Sequence, residues 1–180
     1  MQFSYFSKSQ GIGGKLKESS EDFLVEEISK EGEIFQLNKK FQREGEGDFT
    51  YFILQKRNWT TSNAIKAIAK KLRASQRKFS YAGTKDKLAI TTQICSAYKI
   101  NPSDLLNLKI KDIEINGAWN SSEKIKLGDL LGNKFTIKIQ NPQDNFSSLV
   151  KKIQKELDGK FPNYFGEQRF GSTRKNTHKI

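Results

Sequence analysis

The stretch Ser80-Tyr81-Ala82-Gly83-Thr84-Lys85-Asp86-Lys87-Leu88-Ala89-Ile90-Thr91-Thr92-Gln93 decides how this chain is read. A short run with two aromatics, Phe79 to Ala82, leads into a polar turn, and a longer run rich in β-branched residues, Ile90 to Tyr98, leaves it. That is the pattern of a hairpin. The turn sets one carboxylate, Asp86, between Lys85 and Lys87. Nearby positive charge favours the ionised form of a carboxyl group, and an ionised carboxylate is what a nucleophile or a base requires. Taken alone, the turn reads first as an ordinary hairpin whose aspartate bonds its own backbone.

Upstream, Asp22-Phe-Leu-Val-Glu-Glu-Ile28 reads as a strand, with Ile34 to Phe41 as its partner. Glu44 to Asp48 reads as an exposed turn, and Phe49 to Lys56 as an apolar strand. Thr60 or Thr61 caps a helix. Ile65, Ile68, Ala69 and Leu72 form its apolar stripe, with Lys66, Lys70, Lys71 and Arg73 off it. Those lysines serve either as a solvated face or as phosphate contacts.

Downstream, Asn101-Pro102 starts a short helix. Lys109 to Ile115 alternates as a half-buried strand, and Asn133 to Ile139 as another, with Phe135, Ile137 and Ile139 on one face. Asn141-Pro142 repeats the helix-start pattern; Phe146, Leu149, Val150, Ile153 and Leu157 are the stripe and Gly159 the stop. Phe161 to Gly171 is an aromatic loop of neither period, suited to a core edge or to stacking faces. Strands in hairpins with fewer helices predict an α+β fold: a mainly antiparallel mixed sheet with helices packed on one face, in a single domain over residues 1–180.

The formal net charge of the 180 residues is +12, and it is uneven. Residues 1–50 hold 7 basic and 10 acidic side chains, whereas residues 51–180 hold 25 and 10, a local balance of +15. Such asymmetry favours a polyanionic partner. No apolar run is long enough to cross a bilayer and the first residues do not form a signal peptide, so a cytoplasmic protein is expected, with no membrane partner. The one cysteine, Cys95, and the one histidine, His178, make no zinc set, so no metal is expected. Cys95 reads as a small buried strand residue and His178 as a surface one.

Three separated stretches then converge: Lys17 with Asp22-Phe23-Leu-Val-Glu-Glu-Ile28; Ala82-Gly-Thr-Lys-Asp86-Lys with Thr92-Gln93; and Asn163-Tyr-Phe165-Gly-Glu-Gln168-Arg169-Phe170-Gly171. With the turn and strand at Gly132-Asn-Lys-Phe135, this pattern resembles the TruD family of tRNA pseudouridine synthases. The resemblance implies a pseudouridine-synthase-like catalytic domain and an isomerase acting on a uridine of tRNA, typically uridine 13, without cofactor or metal and with no DNA partner. It assigns Asp86 as the catalytic aspartate. Lys17 and Phe23 match the basic and aromatic residues near it, and Lys85 is read as an RNA contact. Asn163, Phe165, Gln168, Arg169 and Phe170 match the loop that closes over the target.

Isomerisation breaks the N1–C1′ bond, turns the base and rejoins it through C5. Asp86 either attacks the sugar or takes a proton from it. The base must leave its stack, which costs a few kcal/mol; Phe23 and Phe165 offer stacking faces or pack a core. Lys17 pairs with Asp86 or with a phosphate, and Arg169 binds phosphate or braces Asp86.

Family members carry an inserted domain after the aromatic loop and then return to complete the catalytic sheet. This sequence stops where that insertion is expected, so the catalytic domain is read as incomplete, with an exposed sheet edge and apolar surface. Two readings follow: half of a split enzyme completed by a second polypeptide, or an inactive truncated remnant. A basic RNA-binding domain without chemistry is the competing function.

Overall fold

The computed structural model describes residues 6–160. In chain order its elements are β1 (Lys15–Leu16), β2 (Phe23–Ile28), β3 (Phe49–Arg57), α1 (Thr61–Lys71), β4 (Phe79–Tyr81), β5 (Ile90–Tyr98), α2 (Pro102–Leu106), β6 (Ile113–Ser121), β7 (Gly132–Ile137), β8 (Ile139–Gln140) and α3 (Phe146–Leu157). Contacts divide the chain into two compact units, Lys15–Gln140, and Met1–Gly14 with Asn141–Ile180.

In the first unit, six of the described strands form one sheet in the order β6-β3-β5-β2-β7, with β4 also paired to β5. β2 runs parallel to β5, and the other pairs are antiparallel. Among the described residues β1 and β8 make a separate two-stranded ribbon. The mixed, mainly antiparallel sheet expected from the sequence is therefore present.

Side chains alternate across the sheet. On one face Phe52, Leu54, Cys95 and Ile113 pack against Ile65, Ile68 and Ala69 of α1 and Leu105 of α2. The Ile65/Ile68/Ala69 stripe is thus the buried face of α1, and Thr60 Oγ1 caps it by accepting from the Asn63 amide at 3.2 Å. Each of the buried Phe, Leu and Ile side chains among them contributes on the order of 2 kcal/mol. On the opposite face Ile53, Ile94 and Trp119 meet Phe35, Phe41 and Ile125.

That second face carries a correction. Ile34 to Phe41 is not a strand partner of β2; a single bridge joins Ile28 to Ile34. The segment lies across the sheet, and side chains take two of its amides: those of Leu37 and Asn38 donate to Glu26 Oε1 at 2.9 Å and Gln55 Oε1 at 2.8 Å. The Phe41 amide reaches the Asn116 carbonyl at 2.7 Å. Phe35 and Phe41 hold it down from within the core, and Gly117 lets it pass, since a Cβ there would overlap the Phe41 carbonyl. Phe35 and Phe41 anchor an irregular cover, not a strand.

Two boundaries also move. The strand expected at Lys109–Ile115 begins only at Ile113, after a turn with Asp112 at φ 61°, and runs on to Ser121. Asn133–Ile139 breaks at Lys138, whose amide donates to the Asp22 carbonyl at 2.8 Å. β7 is an outer strand of the sheet, and its Phe135 (52% exposed) and Ile137 (47%) are exposed.

In the second unit α3 begins at Phe146 with Asn145 as its cap, four residues later than Asn141-Pro142 suggested, because Asn141 turns the chain at φ 49°. Leu149, Val150, Ile153 and Leu157 are its half-buried line, while Phe146 is exposed. Glu156 accepts from the amides of Lys8 and Ser9, both at 3.0 Å, and from Ser9 Oγ at 2.6 Å. Among the described residues no helix is long and apolar enough to cross a membrane, and no cluster of His, Cys, Asp or Glu suits a metal ion.

Candidate active site

β4 and β2 lie on the same side of β5: β2 pairs with Ile90–Thr92, and β4 with Cys95–Ala97. Residues 82–89 connect β4 to β5 where β2 leaves off. Asp86 sits in this connection, half-buried, and its Oδ1 accepts from Lys17 Nζ at 3.1 Å. Lys17 follows β1 with φ 57°, a left-handed conformation that is uncommon for a residue other than glycine. Its ammonium also stands 3.8 Å from the centre of the Phe23 ring, in cation–π range. Phe23, half-buried at the start of β2, meets Phe135 edge to face at 5.8 Å. Asp22 fixes the approach to Phe23: the Ser19 amide donates to its Oδ2 at 3.0 Å and Gln140 Nε2 to its Oδ1 at 2.7 Å. Burial pushes the Asp22 pKa up, but these hydrogen bonds outweigh it and hold the carboxyl below its ordinary range.

The sequence therefore brings Asp86, Lys17 and Phe23 together. Among the described residues the cation at Asp86 Oδ1 is Lys17, far upstream, and not a flanking lysine. Lys87 is exposed. Lys85, read as an RNA contact, is turned inward: its side chain is 4% exposed and its Nζ pairs with Glu27, itself fully buried. The structure thus commits Lys85 to a buried carboxylate instead of presenting it at the surface. Asn163, Phe165, Gln168, Arg169 and Phe170, with His178, lie outside the described residues.

Sequence reading missed what holds the Asp86 turn. Gln93 Nε2 donates to the Gly83 carbonyl at 2.9 Å. The Lys85 amide donates to Thr61 Oγ1 at 2.9 Å, and that hydroxyl donates to Gln93 Oε1 at 2.9 Å. Glu27 Oε1 accepts from the Ile94 amide at 3.0 Å, filling the place where the β2–β5 ladder ends. Burial pushes the Glu27 pKa up, with Lys85 opposing. From β3, Lys56 Nζ donates to the carbonyls of Asp86 (2.9 Å) and Trp59 (2.6 Å). The turn is thus pinned at Gly83, Lys85 and Asp86 from below, while the Asp86 carboxylate stays within reach of solvent.

Burial pulls the Lys56 pKa down to about 8; the Asp86 carboxylate opposes this and the Lys85 charge adds to it. A base with a depressed folded pKa contributes stability above its unfolded value, near 10.5, that is lost as pH falls through about 8. Between pH 7 and 9.5 the unfolded chain binds the extra proton, so this group raises unfolding free energy by about 2 kcal/mol. Urea unfolding of the wild type at the two pH values, with Lys56→Met losing the difference, checks this.

A cleft of about 540 Å³ is walled by Leu24, Gln55, Lys56, Arg57 and Ile90 among others. Its walls do not include Lys17 or Asp86, so the ion pair rather than this cavity marks the site.

The family model for tRNA pseudouridine synthase D (TruD) matches residues 2–180. The chain is 42% identical over 173 residues to "Probable tRNA pseudouridine synthase D 1" of Methanocaldococcus jannaschii, covering 93% of this chain and 44% of that protein. It is 39% identical to "Probable tRNA pseudouridine synthase D" of Methanococcus vannielii over 180 residues, covering 98% of this chain and 46% of that one. The crystal structure of a putative tRNA pseudouridine synthase D from Methanosarcina mazei superposes with a TM-score of 0.80 at 36% identity, covering 96% of this chain and 38% of that one. The chain thus spans less than half the length of these relatives. With sequence and fold in agreement along nearly all of its length, the chain belongs to the TruD family.

Proposed function

We propose that this chain supplies the catalytic aspartate of a tRNA pseudouridine synthase, converting a uridine of tRNA, uridine 13, to pseudouridine. The observation that carries the reading is the Lys17–Asp86 contact of 3.1 Å beside the Phe23 ring, on a turn pinned by buried polar groups. Breaking the N1–C1′ bond calls for a fixed carboxylate at the sugar, as nucleophile at C1′ or as base for a sugar proton. The base then turns, C5 bonds to C1′, and the C5 proton leaves while N1 gains one. Lys17 holds the carboxylate's orientation, and Phe23 gives the extruded ring a face to rest on. Asn163, Phe165, Gln168, Arg169 and Phe170 are assigned to the loop that closes over it. The positive balance of residues 51–180 suits the tRNA backbone, and cytoplasmic residence goes with that substrate.

The rest of the family's catalytic domain is proposed to add to the sheet along β7, as a separate polypeptide or as a continuation of this one. The outer position of β7 and the exposed Phe135 and Ile137 support it. The test measures pseudouridine in unmodified tRNA after incubation with this chain alone, and with the remaining half of a TruD relative added. Activity on mixing is expected. Binding of tRNA with no pseudouridine in either arm would favour a non-catalytic RNA-binding domain instead.

A further inference from the structure

Lys56 is 1% exposed. It lies on β3 in the parity of Phe52 and Leu54, where the core would accept an apolar side chain. Among the described residues its ammonium bonds to two backbone carbonyls, of Asp86 and Trp59, rather than to a carboxylate. Burying a cation without a hydrogen-bonded carboxylate is expensive, and the nearby Asp86 carboxylate offsets only part of the cost. The expense falls at one place: the peptide from which the proposed catalytic side chain projects. The Trp59 carbonyl belongs to the approach to α1, where Thr60 is the cap and Thr61 takes the Lys85 amide. One ammonium therefore ties β3, the start of α1 and the Asp86 peptide to a common point.

Resting on the catalytic reading of Asp86 above, we propose that Lys56 is a positioning residue for the reaction, fixing the Asp86 backbone from inside the fold while Lys17 orients the carboxylate from outside. With 1% of its surface exposed, Lys56 acts through the Asp86 peptide and not by contact with tRNA. It acts on where the Asp86 carboxylate sits when the sugar arrives, through the Asp86 carbonyl that it holds. A displacement of about 1 Å there lowers turnover about 100-fold without weakening substrate binding.

Lys56→Met keeps the length and packing of the side chain and removes the charge. The loss of a buried cation and the orphaning of two carbonyls act in opposite directions on stability, so the fold survives the change. In the active assembly, kcat is expected to fall about 100-fold with the KM for tRNA near the wild-type value. Amide hydrogen exchange on the same protein gives a readout that needs no activity. The Lys85 amide is expected to lose protection, while the β3 and β5 amides of Phe52–Leu54 and Ile94–Ala97 keep theirs. Wild-type kcat in Lys56→Met, or a Lys85 amide as protected as before, would overturn the role. If the wild type itself makes no pseudouridine, the catalytic reading fails, and the exchange result still decides whether Lys56 holds the turn.

Discussion

Asp86→Asn is expected to lower pseudouridine formation roughly 10³-fold or more while leaving tRNA affinity close to wild type. Asparagine keeps the size of the side chain and an oxygen for Lys17 Nζ, now 3.1 Å from Oδ1, so the turn has no reason to move. What it removes is the negative charge and the lone pair that would attack C1′ or take the sugar proton. The charge is also unhelpful for binding a polyanion, since a carboxylate repels nearby phosphates. Binding should therefore hold or improve slightly, measured by filter retention at fixed salt. A variant with wild-type turnover would end the assignment of Asp86. A variant that lost binding and turnover together would move Asp86 from chemistry to architecture.

The second large effect is on stability. Glu27→Ala is expected to cost about 3–5 kcal/mol of unfolding free energy, because it strands the Lys85 ammonium, 4% exposed, in the core. It also leaves the Ile94 amide without its acceptor, a buried donor with no ladder partner at that point. Replacing both partners with apolar residues, Glu27→Leu with Lys85→Met, should recover much of the loss, since the pair's desolvation disappears with it. Urea unfolding of the two single variants and the double gives the coupling directly. Additive effects would mean that the pair is not the reason for the cost.

Particular residues explain how far the sequence could be read. The strand Ile90–Tyr98 and the helix at Thr61–Lys71 were legible because period and caps agree with what the core demands of them. Asp86, Lys17 and Phe23 were legible through the family pattern rather than through local chemistry; nothing in a Gly-Thr-Lys-Asp-Lys turn reveals that the carboxylate's partner lies at position 17. The segment 34–41 has strand-like apolar composition, but the Leu37 and Asn38 amides go to the side chains of Glu26 and Gln55, which no periodicity reports. Glu27 and Lys56 were missed, yet both carried a signal. Glu27 shares the parity of Val25, and Lys56 that of Leu54, so alternation places each charge inside the fold. A charged residue on the buried parity of a strand calls for a buried partner, and here the partners are the side chain of Lys85 and the peptide of Asp86.

The most direct measurement is position-resolved detection of pseudouridine in unmodified tRNA treated with this chain plus the remaining half of the family fold, run in parallel for wild type and Asp86→Asn. The expected result is a single modified uridine, at position 13, with the wild type and none with the variant. Equal modification by both proteins, or no modification by the wild type while tRNA is bound, would contradict a catalytic centre at Lys17 and Asp86.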